Sequence, residues 1–146
     1  MDWSFVSGLM HSKLFWSIAA TYFVVHFTKF FIHQYRFKQW SIMPFFDTGG
    51  MPSGHTAVTT ALTISIGFET GPSPLFVACA IFTLIIIRDS YGVRKSVSDQ
   101  ADIINALLSE MKIHKKAKIV LGHTPLQVFV GFFLGVLVPV LVYTWP

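Results

Sequence analysis

The chain has 146 residues, of which 53% are hydrophobic and only 12% are charged, with a formal net charge of +4. Soluble domains carry about a quarter charged residues, so this composition excludes an ordinary soluble protein and indicates an integral membrane protein. The length allows a single domain, residues 1–146, with about four membrane crossings. Because Cys79 is the only cysteine, an internal disulfide is also excluded.

The N-terminal part of the chain predicts an interfacial segment and a first crossing. Residues 1–13 contain several aromatic side chains suited to the membrane interface. Leu14–Ile32 is about 28 Å long as a helix, enough to cross a bilayer. Its one formal charge, Lys29, lies near the predicted end, where a lysine either reaches the headgroups or serves a polar site. Residues 33–50, which include Arg36, are predicted to form a polar loop.

A turn with the sequence MPSGHT, residues 51–56, opens the next apolar segment. Ser53 is suited to cap a helix, Gly54 lets a ligand approach the main chain, and His55 can exchange a proton near neutral pH. Backbone N–H groups at a helix start bind anions well. The turn therefore favours a phosphate site, although an ordinary N-cap followed by a chance histidine would look the same.

Two short apolar segments follow, at Thr56–Phe68 and Leu75–Ile87. Each is about 20 Å long against a hydrocarbon core of about 30 Å, and the second leads into Arg88, Asp89 and Arg94. Charges at that depth are tolerated where protein or water surrounds them. These segments therefore predict a recessed polar pocket.

The next part of the chain is amphipathic and then basic. Apolar residues recur at helical spacing through residues 93–112, which predicts an amphipathic helix. Its charged residues are expected to face solvent. The basic loop over residues 112–118 is suited to anionic headgroups, or serves only to keep the loop on one side of the membrane.

The last apolar segment, Leu126–Tyr143, completes the predicted bundle. Thr124 is a suitable N-cap, Pro125 fits the first helical position, and Gln127 completes a capping box. This local pattern does not account for His123, a titratable ring placed just ahead of a helix.

These segments together predict an all-α fold, a polytopic membrane helix bundle with about four transmembrane helices and one amphipathic helix. Four crossings would place the polar motifs on one side of the membrane: Lys29, Arg36, Ser53, His55, Arg88, Arg94 and His123. Such a set suits phosphoryl transfer, in which cations bind the phosphate, one histidine attacks phosphorus and the other protonates the leaving oxygen. Because carboxylates are few near these motifs, we expect neither a metal nor another cofactor.

The motifs resemble the three-part signature of the type 2 phosphatidic-acid phosphatase superfamily. The strings TGGMPSGH at 48–55, YGVR at 91–94 and GHTP at 122–125 resemble its divergent small branch, which is related to acid phosphatases and vanadium-dependent haloperoxidases. The resemblance covers residues from about 20 to 136. It implies a helical membrane phosphatase that hydrolyses lipid phosphates through a phosphohistidine, without a metal.

The resemblance also implies roles for individual residues. His123 would be the nucleophile and His55 the general acid. Lys29 and Arg36 would be phosphate ligands, and Ser53 with Gly54 would form the anion-binding turn.

The sequence departs from the superfamily pattern at three positions. Phe37 stands where the pattern has proline, Ala117 where it has arginine, and Gln127 where it has aspartate. Arg88 or Arg94 is therefore expected to supply the missing guanidinium, and Asp89 to orient a histidine. The alternative function is a catalytically inactive membrane protein that binds lipid phosphates or takes part in assembly.

The expected partners are a lipid phosphate substrate and the surrounding membrane lipids, with a homo-oligomer left open and no nucleic acid. A transporter is disfavoured because the polar residues gather at one face. Of the eleven Lys and Arg residues, only Lys13 falls on the opposite side. The positive-inside rule therefore predicts an active site that faces the cytoplasm, in a bacterial cytoplasmic membrane.

Overall fold

The computed structural model describes residues 3–38, 50–115, 117 and 122–146. This part of the chain forms six helices and contains no strand, which confirms the all-α prediction. The helices are α1 (Trp3–His11), α2 (Lys13–Phe37), α3 (Gly54–Thr70), α4 (Pro74–Tyr91), α5 (Val93–Glu110) and α6 (Pro125–Thr144).

Three apolar stretches of the described chain are long enough to cross a membrane: α2, the stretch of α4 that runs on into α5, and α6. The remaining predicted crossing corresponds to α3, which has 17 residues, is about 26 Å long and is not one of these three stretches, so the count of four crossings stays a prediction. Helix α3 packs against α2, α4 and α6 and so occupies the middle of the bundle. The polytopic helix bundle is thus confirmed.

Two helices extend further than their apolar patterns predict. Helix α2 continues to Phe37 and ends at Lys38, so the predicted loop over residues 33–37 is wrong, and residues 39–49 lie outside the described chain. Lys29 therefore lies two turns inside the helix and is only 7% exposed. Helix α4 likewise continues through Arg88 and Asp89. Hydropathy treats a charge as a helix end, whereas the helical backbone continues as long as its N–H and C=O groups find partners.

The contact between α3 and α6 brings the two backbones together. A Cβ atom added at Gly131 would lie 2.5 Å from the carbonyl oxygen of Ser53, and one added at Gly135 would lie 2.5 Å from that of Ala57. Gly131 and Gly135 form a GxxxG pattern, which permits such an approach in membrane helices. Because backbone atoms face each of these glycines, no rotamer change could make room for a larger side chain.

Hydroxyl groups connect α3 to its other neighbours. The Ser65 hydroxyl lies 2.5 Å from that of Ser17 on α2. The Thr63 hydroxyl lies 2.9 Å from that of Thr83 on α4, which also donates to the carbonyl oxygen of Thr59. Buried hydrogen bonds of this kind each contribute about 0.6 kcal/mol in membrane bundles, so they orient the helices while the packing of small residues sets their separation.

Alanine at Gly135 should destabilise the bundle. Gly135→Ala forces a Cβ against the backbone of Ala57, and overpacking of this kind costs roughly 1–3 kcal/mol. We expect a lower melting temperature for the purified protein in detergent, measured by loss of helical circular dichroism. The matched control is Gly8→Ala in α1, where nothing lies within 4 Å and alanine should only favour the helix. Equal melting temperatures for the two variants would contradict this account of the α3–α6 contact.

Candidate active site

His123 lies in the segment that leads into α6 and is almost fully buried, with 1% of its surface exposed. Its backbone N–H donates to the carbonyl oxygen of Ser90 in the last turn of α4 at 3.0 Å. The preceding residue, Gly122, packs directly on the first turn of α5, because a Cβ there would lie 2.5 Å from the backbone nitrogen of Lys95. The segment is therefore fixed against α4 and α5 before α6 begins.

Gln127 determines which nitrogen of His123 carries the proton. The Gln127 side-chain oxygen accepts the backbone N–H of Thr124 at 3.0 Å and lies 3.2 Å from Nδ1 of His123. Because Oε1 is an acceptor only, Nδ1 must be the protonated nitrogen, and Nε2 then presents its lone pair. Nε2 is buried and has no hydrogen-bond partner among the described residues. The predicted capping box at Thr124 and Gln127 is confirmed, and the same glutamine orients the histidine.

The environment of His123 favours the neutral ring. Burial lowers the pKa of His123 below its usual 6.5, the hydrogen bond to Gln127 raises it, and the positive charges of Lys29, His55 and Arg94 lower it further. The ring is therefore neutral near pH 7, in the form that can act as a nucleophile. The structure thus brings together groups from α2, α3 and α5 around the segment that carries His123.

Asp89 and Arg94 form an ion pair across the junction of α4 and α5. The guanidinium Nε of Arg94 donates to a carboxylate oxygen of Asp89 at 2.9 Å. Asp89 thus has an arginine as its hydrogen-bonding partner, where the sequence suggested a histidine. Arg88 is exposed on α4, whereas Arg94 lies close enough for its charge to act on His123.

The turn at the start of α3 is found as predicted, but Ser53 does not have the anion-binding role that was predicted for it. Ser53 is fully buried; its hydroxyl oxygen caps α3 by accepting from Thr56, and its backbone N–H donates to the carbonyl oxygen of Gln127 at 3.0 Å. These contacts give Ser53 a structural role. The N–H groups of Gly54 and His55 precede the first helical hydrogen bond, which runs from Ala57 to Ser53.

Gly54, which is half-buried, and His55 are less buried than Ser53. A Cβ at Gly54 would make only an ordinary 3.8 Å contact with Val25, so packing does not require glycine there. The His55 side chain is exposed. These two residues are thus better placed than Ser53 to meet a ligand that comes from outside the bundle.

Arg36 follows Lys29 by two helical turns and therefore lies on nearly the same side of α2. It is exposed and lines a surface groove of about 600 Å³ with Phe31, Ile32 and Tyr35. Lys29 lies within the bundle while Arg36 lies at its edge, so the two predicted phosphate ligands sit at different depths.

Asn105 is a residue of this region that sequence reasoning missed. Its amide donates to the carbonyl oxygen of Ala117 at 3.1 Å and accepts the backbone N–H of Ala117 at 2.7 Å. Ala117 stands at the position where the superfamily has arginine, so the side chain is absent but its backbone is held in place. The sequence did contain a signal for this contact, because Asn105 is a polar residue four positions after the buried Ala101 and so lies on the same side of α5.

The fold and the two-histidine site define a helical membrane protein with groups suited to binding phosphate. The Divergent PAP2 family matches residues 10–138, and the chain belongs to this family. A relative of Bacillus subtilis (strain 168), the "Uncharacterized membrane protein YuiD", is 38% identical, and the match covers 70% of this chain and 74% of the relative. No solved structure matches the chain.

The tautomer and pKa of His123 can be measured directly. In protein labelled with ¹⁵N-histidine in detergent, we expect His123 to carry its proton on Nδ1 and to titrate below pH 6.5. Gln127→Leu should lower that pKa because the hydrogen bond raises it, and Lys29→Met should raise it because a repelling charge is removed. An Nε2-protonated His123, or a pKa of His123 at or above 6.5, would contradict this description.

Proposed function

We propose that this protein is a membrane phosphatase that hydrolyses a phosphomonoester or pyrophosphate headgroup of a lipid through a phosphohistidine at His123. The observation that carries the proposal is the state of His123, whose Nδ1–H is held by Gln127 while Nε2 is buried without a partner among the described residues. A buried polar atom left unpaired costs about 1–3 kcal/mol. If Nε2 is the nucleophile, its lone pair must stay available to attack phosphorus, which would explain why Nε2 is left unpaired at this cost in free energy.

The reaction would proceed in two displacements. The Nε2 lone pair of His123 attacks phosphorus, and the bond from phosphorus to the leaving oxygen breaks. His55 in its protonated form gives its proton to that oxygen, so the lipid leaves as an alcohol, or as a monophosphate when the headgroup is a pyrophosphate. Burial and the charges of Arg94 and Lys29 lower the pKa of His55 in the free protein, and the negative charge of a bound phosphate would raise it toward the protonated form. Neutral His55 then takes a proton from a water molecule that attacks phosphorus, which frees phosphate and restores His123.

The cations would neutralise the phosphate in both steps. Lys29 and Arg94 lie close enough to act electrostatically on His123, and the leading N–H groups of α3 at Gly54 and His55 add donors. Arg94 is the better candidate for the guanidinium that Ala117 cannot provide, since its partner Asp89 fixes its direction. Arg36, farther out on α2, would meet the phosphate as it enters.

The surroundings of the candidate site support a lipid as the substrate. Helices α2, α4 and α6 are apolar and carry exposed phenylalanine or leucine side chains on their outer surfaces, which are suited to lipid. Of the described Lys and Arg residues, Lys13 alone stands at the other end of the bundle, where it contacts the Trp145 carbonyl. By the positive-inside rule we place the site at the cytoplasmic surface, which favours a substrate from the cytoplasmic leaflet.

Histidine variants test the proposal most simply. We expect His123→Ala to abolish phosphate release from a panel of lipid phosphates, and His55→Ala to lower it by about 10²–10⁴-fold, the range for loss of a general acid. Gln127→Leu should lower phosphate release by about 10–100-fold. Gln127→Glu should keep most of the phosphate release, because a carboxylate oxygen can accept hydrogen bonds from the same two N–H groups.

His11→Ala is the matched control, because this histidine is exposed and bonds only within α1. It should leave phosphate release unchanged. Full activity in His123→Ala would rule out the proposed nucleophile. Binding of lipid phosphates without release in the unaltered protein would instead support the non-enzymatic alternative.

A further inference from the structure

The chain turns back on itself directly after α5. The backbone N–H of Ile113 donates to the carbonyl oxygen of Leu108 at 2.9 Å, and that of Lys112 donates to Ser109 at 3.1 Å. These two bonds define a Schellman motif, in which the residue with positive φ is usually glycine. Here it is Lys112, with φ 55°. A lysine is thus held at a turn where its side chain gives no conformational advantage.

Asn105 holds the other end of the same loop. Its paired hydrogen bonds to the backbone of Ala117 hold that residue against α5, about one and a half turns before the helix ends. The loop is therefore fixed at Lys112 by the helix end and at Ala117 by a side chain. Lys112, His114 and Lys115 lie between these two fixed points.

Between these two fixed points lies a cleft of about 490 Å³. It is lined by Asn105, Ser109, Lys112, Ile113, His114 and Lys115. Lys112 and Lys115 contribute positive charge, His114 adds ring nitrogens that can form hydrogen bonds, and none of the described lining residues is acidic. None of them belongs to the proposed phosphatase site. The cleft is therefore a separate, positively charged surface suited to an anion.

The surroundings of the cleft point to a lipid as the source of that anion. Ile113 is exposed within it, and the neighbouring face of α5 exposes Ile104, Leu107 and Met111, the last to 68%. Helix α5 follows the apolar helix α4 with only Gly92 between them, so the amphipathic helix starts directly after a strongly apolar one. An occupant with an anionic head and apolar chains would satisfy both the charge and the apolar face.

We propose that this cleft binds the headgroup of an anionic phospholipid, whose acyl chains lie along the exposed apolar face of α5. The lipid is a bound partner and not a substrate, since the cleft contains none of the residues assigned to phosphoryl transfer. The Schellman turn and the Asn105 contact together set the spacing of the basic groups. Bound lipid would hold α5, and with it Arg94 in its first turn, at the membrane surface.

The test compares lipid binding by the full chain in detergent, measured by native mass spectrometry with phosphatidylglycerol or phosphatidylcholine of the same chain length. We expect preferential binding of phosphatidylglycerol, about 20–30-fold weaker in Lys112→Gln/Lys115→Gln, as for loss of two lysines near a lipid surface. The charge-matched control is Lys13→Gln/Lys95→Gln, in which neither residue lines the cleft. It should bind as the unaltered protein does.

Lys29→Gln should also keep its phosphatidylglycerol, because Lys29 belongs to the other site. Loss of binding in Lys29→Gln would assign the lipid to the phosphatase site and overturn the proposal. Equal weakening in the charge-matched control, or equal binding of phosphatidylcholine, would overturn it as well. Glycerol phosphate that competes as strongly as the intact lipid would show that a soluble anion suffices, which contradicts a lipid partner.

Discussion

The close contact between α3 and α6 is the constraint on which the rest of the structure depends. Gly131 and Gly135 let the two backbones meet, and the N–H of Ser53 then reaches the carbonyl oxygen of Gln127. The start of α3, which carries His55, is thereby fixed relative to the start of α6. Gln127 uses its backbone oxygen for this contact and its side-chain oxygen for Thr124 and His123. One residue thus joins helix packing, helix capping and orientation of the candidate nucleophile.

Sequence patterns predicted the features that depend on local chemistry. The apolar segments, the serine cap of α3, the capping box of α6 and the amphipathic α5 all rest on residues within one or two turns of each other, and each was found. Burial of Lys29 was not predicted, because it depends on helices that are distant in the chain. The same holds for Ser53, whose N–H donates to a carbonyl oxygen of α6. The partner of Asp89 is only five residues away, but the pairing with Arg94 depends on the angle between α4 and α5, which the sequence pattern does not define. The GxxxG pair was visible in the sequence, but its partner helix was not.

The replacement of aspartate by Gln127 has a definite electrostatic consequence. A carboxylate beside Nδ1 would stabilise the charged imidazolium and raise the pKa of His123, whereas an amide oxygen orients the ring without adding a charge. The His123 ring therefore stays neutral down to a lower pH than it would beside a carboxylate. Arg94 and Lys29 act in the same direction. The departures at Gln127 and Ala117 thus fit the proposed site, in which the candidate nucleophile stays neutral and the cations come from α2 and α5.

The most direct test of this account is to trap the covalent intermediate. The purified protein would be mixed with a ³²P-labelled lipid phosphate, quenched in alkali, where phosphohistidine survives, and digested for mass spectrometry. We expect phosphate on His123, attached at Nε2, and none in His123→Ala. Steady phosphate release with an unmodified His123, or a label on a different residue, would contradict the central claim that His123 is the nucleophile.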